Sequence, residues 1–483
     1  MSKHVGRNHQ DNDKLSEVLW GEQTQLSLRF FNIGSHSFSL LFIECLINIK
    51  RACAEANHDN GLLTEEIYNA ILAACDELLL DEHLFNEYAE QFPLSVWQTG
   101  SGTQTHMNVN EVICTLANRY TNHNGIKVGD LNSSDCCPIH ANDHVNKSQS
   151  SNDVFPSAMH LLVASISQQR LLPSLGHLHG KLRDKQIAFL SVMTVGRTHL
   201  MDALPMPVSG IFSGYCEQLR QAESAINESL HGLYQLAIGG TAVGGGDNAP
   251  AHFGPQVALK LANHYLLPFK TADNKFAAVS AQDALIRYSS ALKQLASVLF
   301  KIANDVKLLA SGPHCGLNEW QLPANEAGSS IMPGKVNPTQ CEALSMVCLQ
   351  VFGNDLTVSL AASNGQLQLN TYRPVIVHNI MESSELLSGA MTSFADNCID
   401  GLELNQAQIN THLSQNLSTI ALLSPIIGYD ICAQILKEAS NKHISLAAAA
   451  QQLNLYSQDE FESLLRSQLP LNKMPNNDAN ICA

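Results

Sequence analysis

Eleven residues from Gly328 to Pro338, GSSIMPGKVNP, set two hydroxyls, one cation and one amide among four turn-forming residues. Lys335 and Asn337, two positions apart, can hold a carboxylate by charge and hydrogen bond together. Gly328, Pro333 and Gly334 let the chain fold back sharply and open and shut. Ser329 and Ser330 bring hydroxyls to the other end of the loop. Glu342 follows just inside the next helix, which Pro338 starts. The competing reading is a mobile surface loop with a solvated lysine.

Four further loops rich in Gly, Asn, Ser and Pro carry polar chemistry: TGSGTQTHMN (Thr99–Asn108), HANDHVNKSQSSND (His140–Asp153), GRTHLMDALP (Gly196–Pro205) and GGTAVGGGDN (Gly239–Asn248). Taken singly, each has a plain structural explanation. SGT reads as a helix cap, and the run Ser148–Asn152 as a capped helix start whose hydroxyls satisfy free backbone amides. Thr198–His199 reads as a surface turn. GGTAVGGG lacks the Lys-Ser/Thr ending of a phosphate-binding loop and follows a helical segment, so it reads as a tight turn or close helix approach.

Helices must position these loops. Between Asp283 and Gly312, Leu285, Tyr288, Leu292, Leu295, Leu299, Ile302, Val306 and Leu309 step by three and four. That is a heptad seam, with Gly312 as its stop. A rod of roughly 40 Å cannot bury its stripe alone and belongs in a bundle. Similar patterns run from Ser157 to Leu182, broken by Pro173, and from Cys341 to Leu360. Thr64, Glu65 and Glu66 start another helix that reaches Leu80. Strand-like alternation is rare and short. The expected fold is mainly α, partitioned into an N-terminal region over 1–149, a helical bundle carrying the Gly328–Pro338 loop over 150–406, and a small helical region over 407–483.

The chain has 483 residues, 45% of them hydrophobic, enough for a large buried core. A formal charge of −16 argues against nucleic acid as a partner. It leaves room for a small anion met by local cations and helix ends. The 13 cysteines are scattered, with Cys136 and Cys137 the only neighbours, so neither a disulfide framework nor a metal site has its usual spacing. The polar N-terminus, MSKHVGRNHQDNDKL, is neither a signal nor a transit peptide. The apolar run from Phe38 to Ile49 is too short to span a bilayer. A cytoplasmic protein without membrane contact is expected.

Together these segments resemble the class II fumarases of the fumarase/aspartase superfamily. GSSIMPGKVNP matches the superfamily signature GSSxMxxKxNP. The resemblance continues through WGEQTQLSLRFF (Trp20–Phe31), WQTGSGTQT (Trp97–Thr105), HVNKSQSSNDVFP (His144–Pro156), GRTHLMDALP, KIANDVKLLASGP (Lys301–Pro313) and IGYDICAQI (Ile427–Ile435). It therefore runs in order along nearly the whole chain. Some aspartases place Gln where His199 stands, and argininosuccinate and adenylosuccinate lyases lack the GKVNP ending.

The resemblance implies reversible hydration of fumarate to L-malate without metal or organic cofactor. It implies a homotetramer around a central bundle of long helices, with each active site assembled from three chains. It makes Ser329 the base that takes the C3 proton of malate. His199 then positions or protonates the departing oxygen, and Glu342 orients His199. Substrate contacts fall on Ser101, Gly102, Thr103, Ser150, Ser151, Asn152, Thr198, Ser330, Lys335, Val336 and Asn337. A second dicarboxylate site, HPND in the family, falls on His140, Ala141, Asn142 and Asp143.

The chain departs from the family pattern at several places. His106 stands where fumarases commonly have Asn, Met201 and Leu204 replace Gln and Thr, and Ala141 replaces Pro. Cys136–Cys137 stands near the place of an upstream Arg, in a stretch from Thr121 to Cys137 that is longer than usual. Two alternatives accompany the fumarase reading: aspartate ammonia-lyase on the same scaffold, and a non-catalytic scaffold protein.

Overall fold

The computed structural model describes residues 18–79, 86–123 and 139–469. The N-terminal segment discussed above, Cys136–Cys137 and most of the long stretch before them lie outside the described residues. The fold is mainly α. Strand pairing among the described residues is confined to three two-stranded sheets and two isolated bridges. The chain divides into two compact units.

Unit 1 comprises Met1–Leu172, Ser224–Gln294 and Gln350–Leu386. Its helix α1 (Leu40–Asp59) buries Ile43, Leu46, Ile47, Lys50 and Cys53, a 3–4 spacing that contains one cation. Helix α2 (Glu65–Leu79) opens with Glu65 and Glu66 at its positive end and buries Ile71, Ala74, Cys75 and Leu78. It packs against α1 and against α3 (Thr103–His123). Helix α4 (Ser151–Ile166) is buried on almost every face, from Asp153 through Phe155 and Met159 to Ile166. That explains why the apolar stripe located its start too late, at Ser157: a helix buried all round has no clean polar face to mark its beginning. The expected break at Pro173 is instead a π-turn, Ser167–Leu171, leading directly into a helix over Leu172–Ala188. A π-turn shifts the hydrogen-bond register without ending the helix.

Unit 2 comprises Pro173–Glu223, Leu295–Leu349 and Leu387–Ala483. GRTHLMDALP, which reads as a loop, is the end of an antiparallel hairpin: β1 (Met193–Thr198) pairs with β2 (Met201–Pro207). The strands are short and interrupted by a register shift between Val195 and Arg197, so the alternation is too brief to identify from sequence. Near the C-terminus, Ile420, Leu423, Ile435, Ala449 and Phe461 form a separate apolar cluster.

The other long helices among the described residues include Val208–Leu233, Asp283–Leu309, Thr339–Ala362 and Arg373–Phe394. In α5 (Asp283–Leu309) seven of the eight seam residues are buried, from Leu285 to Val306, and only the terminal Leu309 is half-exposed. Helix α6 (Thr339–Ala362) begins just after the Gly328–Pro338 loop. Met346, Leu349, Leu356 and Leu360 leave an exposed apolar stripe along it.

Candidate active site

In unit 1, two helix starts bring polar groups together. Ahead of α3, Ser101 Oγ and Thr103 Oγ1 are 2.7 Å apart, one hydroxyl donating to the other. Gly102 between them has φ +77°, and a Cβ there would meet the Phe155 ring at 2.2 Å, so only glycine fits this entry. Ahead of α4, Ser150 makes a reciprocal capping box. Its Oγ accepts from the Asn152 amide at 3.2 Å, and its own amide donates to Asp153 Oδ1 at 2.9 Å. Asn152 Nδ2 donates to the Ala242 carbonyl at 2.8 Å. Ser151 Oγ lies 2.7 Å from His106 Nδ1, which joins the start of α4 to the first turns of α3.

A buried polar layer supports these starts. Asp153 is fully buried, and its Oδ2 accepts from the amides of Gly239 (3.0 Å) and Thr241 (2.9 Å), tying the GGTAVGGG turn to the cap. Burial pushes its carboxyl pKa up, against the pull of these amide bonds and of Lys50. Lys50 is also fully buried. Its Nζ donates to Asn146 Oδ1 (3.0 Å) and Gln149 Oε1 (2.7 Å) and meets His106 Nε2. Burial lowers the ammonium to about 7, although the nearby Cys53, Asp153 and Cys75 favour its charge.

Ala141, Asn142 and Asp143 lie in a π-turn, Ala141–Val145, with His140 as its cap. His140 Nδ1 accepts from the Asp143 amide at 3.3 Å and lies 3.1 Å from the Asp143 carboxylate, while the His140 amide donates to His144 Nδ1 at 2.8 Å. An internal carboxylate thus already faces this imidazole.

In unit 2, the hairpin tip carries Thr198 and His199, both exposed. His199 and Leu200 have φ of +56° and +61°, a two-residue turn in the left-handed region that Asn and Gly occupy at less cost. Below the tip, Arg197 forms a bidentate pair with the buried Glu319. Glu319 also accepts from Thr194 Oγ1 at 3.1 Å and from His412 Nδ1 at 2.6 Å. Burial alone raises the Glu319 pKa, but the hydrogen bonds from Arg197 and His412 and the Arg197 charge outweigh it, and the net shift is downward.

The Gly328–Pro338 loop is closed at its neck. The Gly328 amide donates to the Lys335 carbonyl at 3.1 Å, and Asn337 Nδ2 donates to the Gly328 carbonyl at 2.6 Å. A Cβ on Gly328 would meet the Lys335 oxygen at 2.1 Å, so this crossing requires glycine. Ser329 Oγ accepts from the amides of Ile331 (3.2 Å) and Met332 (3.1 Å). Ser330, Lys335 and Val336 are exposed, as is Glu342 in the first turn of α6. Among the described residues, no hydrogen bond or ion pair joins His199 to Ser329, Lys335 or Glu342.

Several residues of these arrangements have little or no local signal in the sequence. Lys50 is one exception, since it sits on the buried stripe of α1 between Leu46 and Cys53. Asp153 is legible as the acid of a capping box. Nothing in the sequence around Glu319 or His412 marks them as partners of Arg197, because that contact depends on the tertiary fold.

The Lyase family matches residues 6–353, and the family described as the fumarase C C-terminus matches residues 420–469. A relative from Thermosynechococcus vestitus, a class II fumarate hydratase, is 49% identical over 94% of this chain and 95% of its own. One from Rickettsia prowazekii, also a class II fumarate hydratase, is 47% identical over 92% of this chain and 94% of its own. The solved class II fumarase of Schistosoma mansoni superposes with a TM-score of 0.89 at 41% identity, covering 95% of this chain and 97% of that one. A fumarate lyase:delta crystallin structure from Brucella melitensis gives 0.86 at 36% identity, covering 94% of this chain and 96% of that one. This chain belongs to the class II fumarate hydratase family, among the lyases.

Proposed function

We infer that this protein catalyses the reversible, stereospecific hydration of fumarate to L-malate, the reaction of the tricarboxylic acid cycle, in the cytoplasm. The observation that carries the chemistry is the pair of backbone amides of Ile331 and Met332 directed at Ser329 Oγ. A serine acts as a base only as an alkoxide, and donors already aimed at the oxygen favour that charge. In the malate direction Ser329 takes the C3 proton. The electron pair moves onto the adjoining carboxylate, which becomes an aci-carboxylate. Lys335, with the remaining amide hydrogen of Asn337, binds a carboxylate by charge and hydrogen bond.

The neutral donors Ser101, Thr103, Ser150, Ser151 and Asn152, the Gly102 turn and Thr198 surround the dicarboxylate, along with Ser330 and Val336 of the loop. His199 delivers a proton to the C2 hydroxyl as it leaves as water, and Glu342 fixes the imidazole tautomer. The loop acts as a lid that excludes bulk water.

The exposed state of Thr198, His199, Lys335 and Glu342 in one chain fits a site completed by neighbouring copies. The apolar stripe of α6 gives those copies a surface to cover. We therefore read the functional form as a homotetramer whose sites draw on three chains.

Loss of fumarate absorbance by the purified protein, with and without ammonium, tests the reading. Hydration without ammonium is the expected result. A strict ammonium requirement assigns the protein to aspartate ammonia-lyase chemistry instead.

A further inference from the structure

The fully buried Lys50 and His106 form a line that ends on Ser151, one of the hydroxyls assigned above to the dicarboxylate. Counting donors fixes the direction of that line. A lysine ammonium has three N–H donors and no acceptor. Among the described residues Nζ has three partners: Asn146 Oδ1, Gln149 Oε1 and His106 Nε2. With Lys50 charged, Nε2 must accept, so the His106 proton sits on Nδ1 and donates to Ser151 Oγ. The Ser151 O–H then points away from His106, free to donate to a ligand carboxylate.

Removing one proton from Lys50 reverses the sequence. The neutral amine keeps two N–H donors and gains a lone pair. It continues to serve Asn146 and Gln149 and accepts from Nε2–H. Nδ1 then becomes an acceptor and takes the Ser151 O–H, leaving the ligand facing oxygen lone pairs. We propose that His106 is a positioning residue that couples the protonation of Lys50 to the direction of the Ser151 hydroxyl, and so makes dicarboxylate binding depend on the charge of a buried lysine.

The surrounding groups place the switch in a useful range. Burial lowers Lys50 to about 7, opposed by Cys53 on its own helix, Asp153 on α4 and Cys75 on α2. Burial, then the Lys50 charge, hold His106 well below its ordinary value, so the imidazole remains neutral and changes tautomer rather than charge. Asparagine at this position has no equivalent reach. Its amide overlays the Nδ1 side of an imidazole and stops short of the Nε2 position where Lys50 bonds.

The proposal rests on the fumarate hydratase reading. Its test compares KM for fumarate in wild type, H106N and H106Q from about pH 6 to about pH 9. Losing one hydrogen bond to a charged carboxylate corresponds to about a tenfold to hundredfold rise in KM, expected for wild type across that range. H106N reaches Ser151 but not Lys50, so its KM should change less than twofold. H106Q reaches Lys50 but not Ser151, so its KM should be raised at every pH without the wild-type slope. Groups elsewhere titrate alike in all three proteins, so the difference between profiles is the readout. If H106N does not fold by circular dichroism, S151A must lose the pH-dependent part of KM. H106N or S151A profiles parallel to wild type overturn the coupling while leaving the activity assigned. A wild type that hydrates no fumarate at any pH overturns the functional reading and the coupling with it.

Discussion

Arg197 and Glu319 form a bidentate ion pair immediately below the turn that carries Thr198 and His199, with Glu319 only 1% exposed. Because both carboxylate oxygens are used, by Arg197, Thr194 and His412, the hairpin tip stands on a fixed base. Breaking a buried pair by removing one charge costs about 3–5 kcal/mol. Glu319→Gln retains some hydrogen bonding, so a loss toward the lower end is expected in urea unfolding. A tip displaced by 1 Å is expected to lower kcat about tenfold to a hundredfold. The pH dependence has a definite sign. The folded pKa of Glu319 is depressed, so its contribution is complete above the ordinary carboxylate value and is lost as pH falls through the folded value. The deficit of the variant should therefore be largest near neutrality and shrink below about pH 4.

Ser329→Ala should reduce turnover by about 10²–10⁴-fold, the range for removing a positioned base. Among the described residues the hydroxyl is bonded only to the Ile331 and Met332 amides of its own loop, so far-ultraviolet circular dichroism and the oligomer should be unchanged. Steady-state kinetics beside size-exclusion chromatography checks both parts. Near-wild-type turnover would remove Ser329 from the role of base.

The helical frame was legible because long one-sided helices write their period into the sequence. The seam from Leu285 to Val306 is the clearest instance. Where burial surrounds a helix, as in α4, the period blurs and the start is misplaced, although the Ser150–Asp153 box still marks it. The hairpin at Met193–Pro207 was hidden by its shortness and its register shift. The loops were visible as residue types, and the resemblance supplied the roles proposed for them. Their supports were not: no local pattern connects Glu319 to Arg197, or His106 to Lys50, since each pair is separated by many residues and joined only by the fold.

Lys50→Met should change how stability depends on pH. In the folded chain the Lys50 ammonium is lowered from 10.5 to about 7 by burial. Between those values the unfolded chain binds more protons, so the Lys50 contribution to stability rises with pH across the window. Methionine binds no proton in either state. The stability of the variant relative to wild type should therefore decline from about pH 7 to about pH 10, by a few kcal/mol in urea midpoints converted to free energy. A constant difference between the two proteins would mean that Lys50 keeps its proton as firmly when folded as when unfolded.

Leu349→Lys and Leu356→Lys test the α6 stripe proposed above as the assembly surface. The two residues lie seven apart on α6 and are 57% and 60% exposed in one chain, on the stripe that also includes Met346 and Leu360. A surface leucine changed to lysine on an uncovered helix should alter stability by no more than about 0.5 kcal/mol. In a tetramer core the same change buries an ammonium without a partner, at a cost of several kcal/mol that copies of the chain cannot repay. The double variant should elute as a smaller species while retaining its helical circular dichroism. On the proposed reading, in which a site draws on three chains, it should also lose nearly all hydration activity. Full activity in a dissociated variant would show instead that one chain carries a complete site.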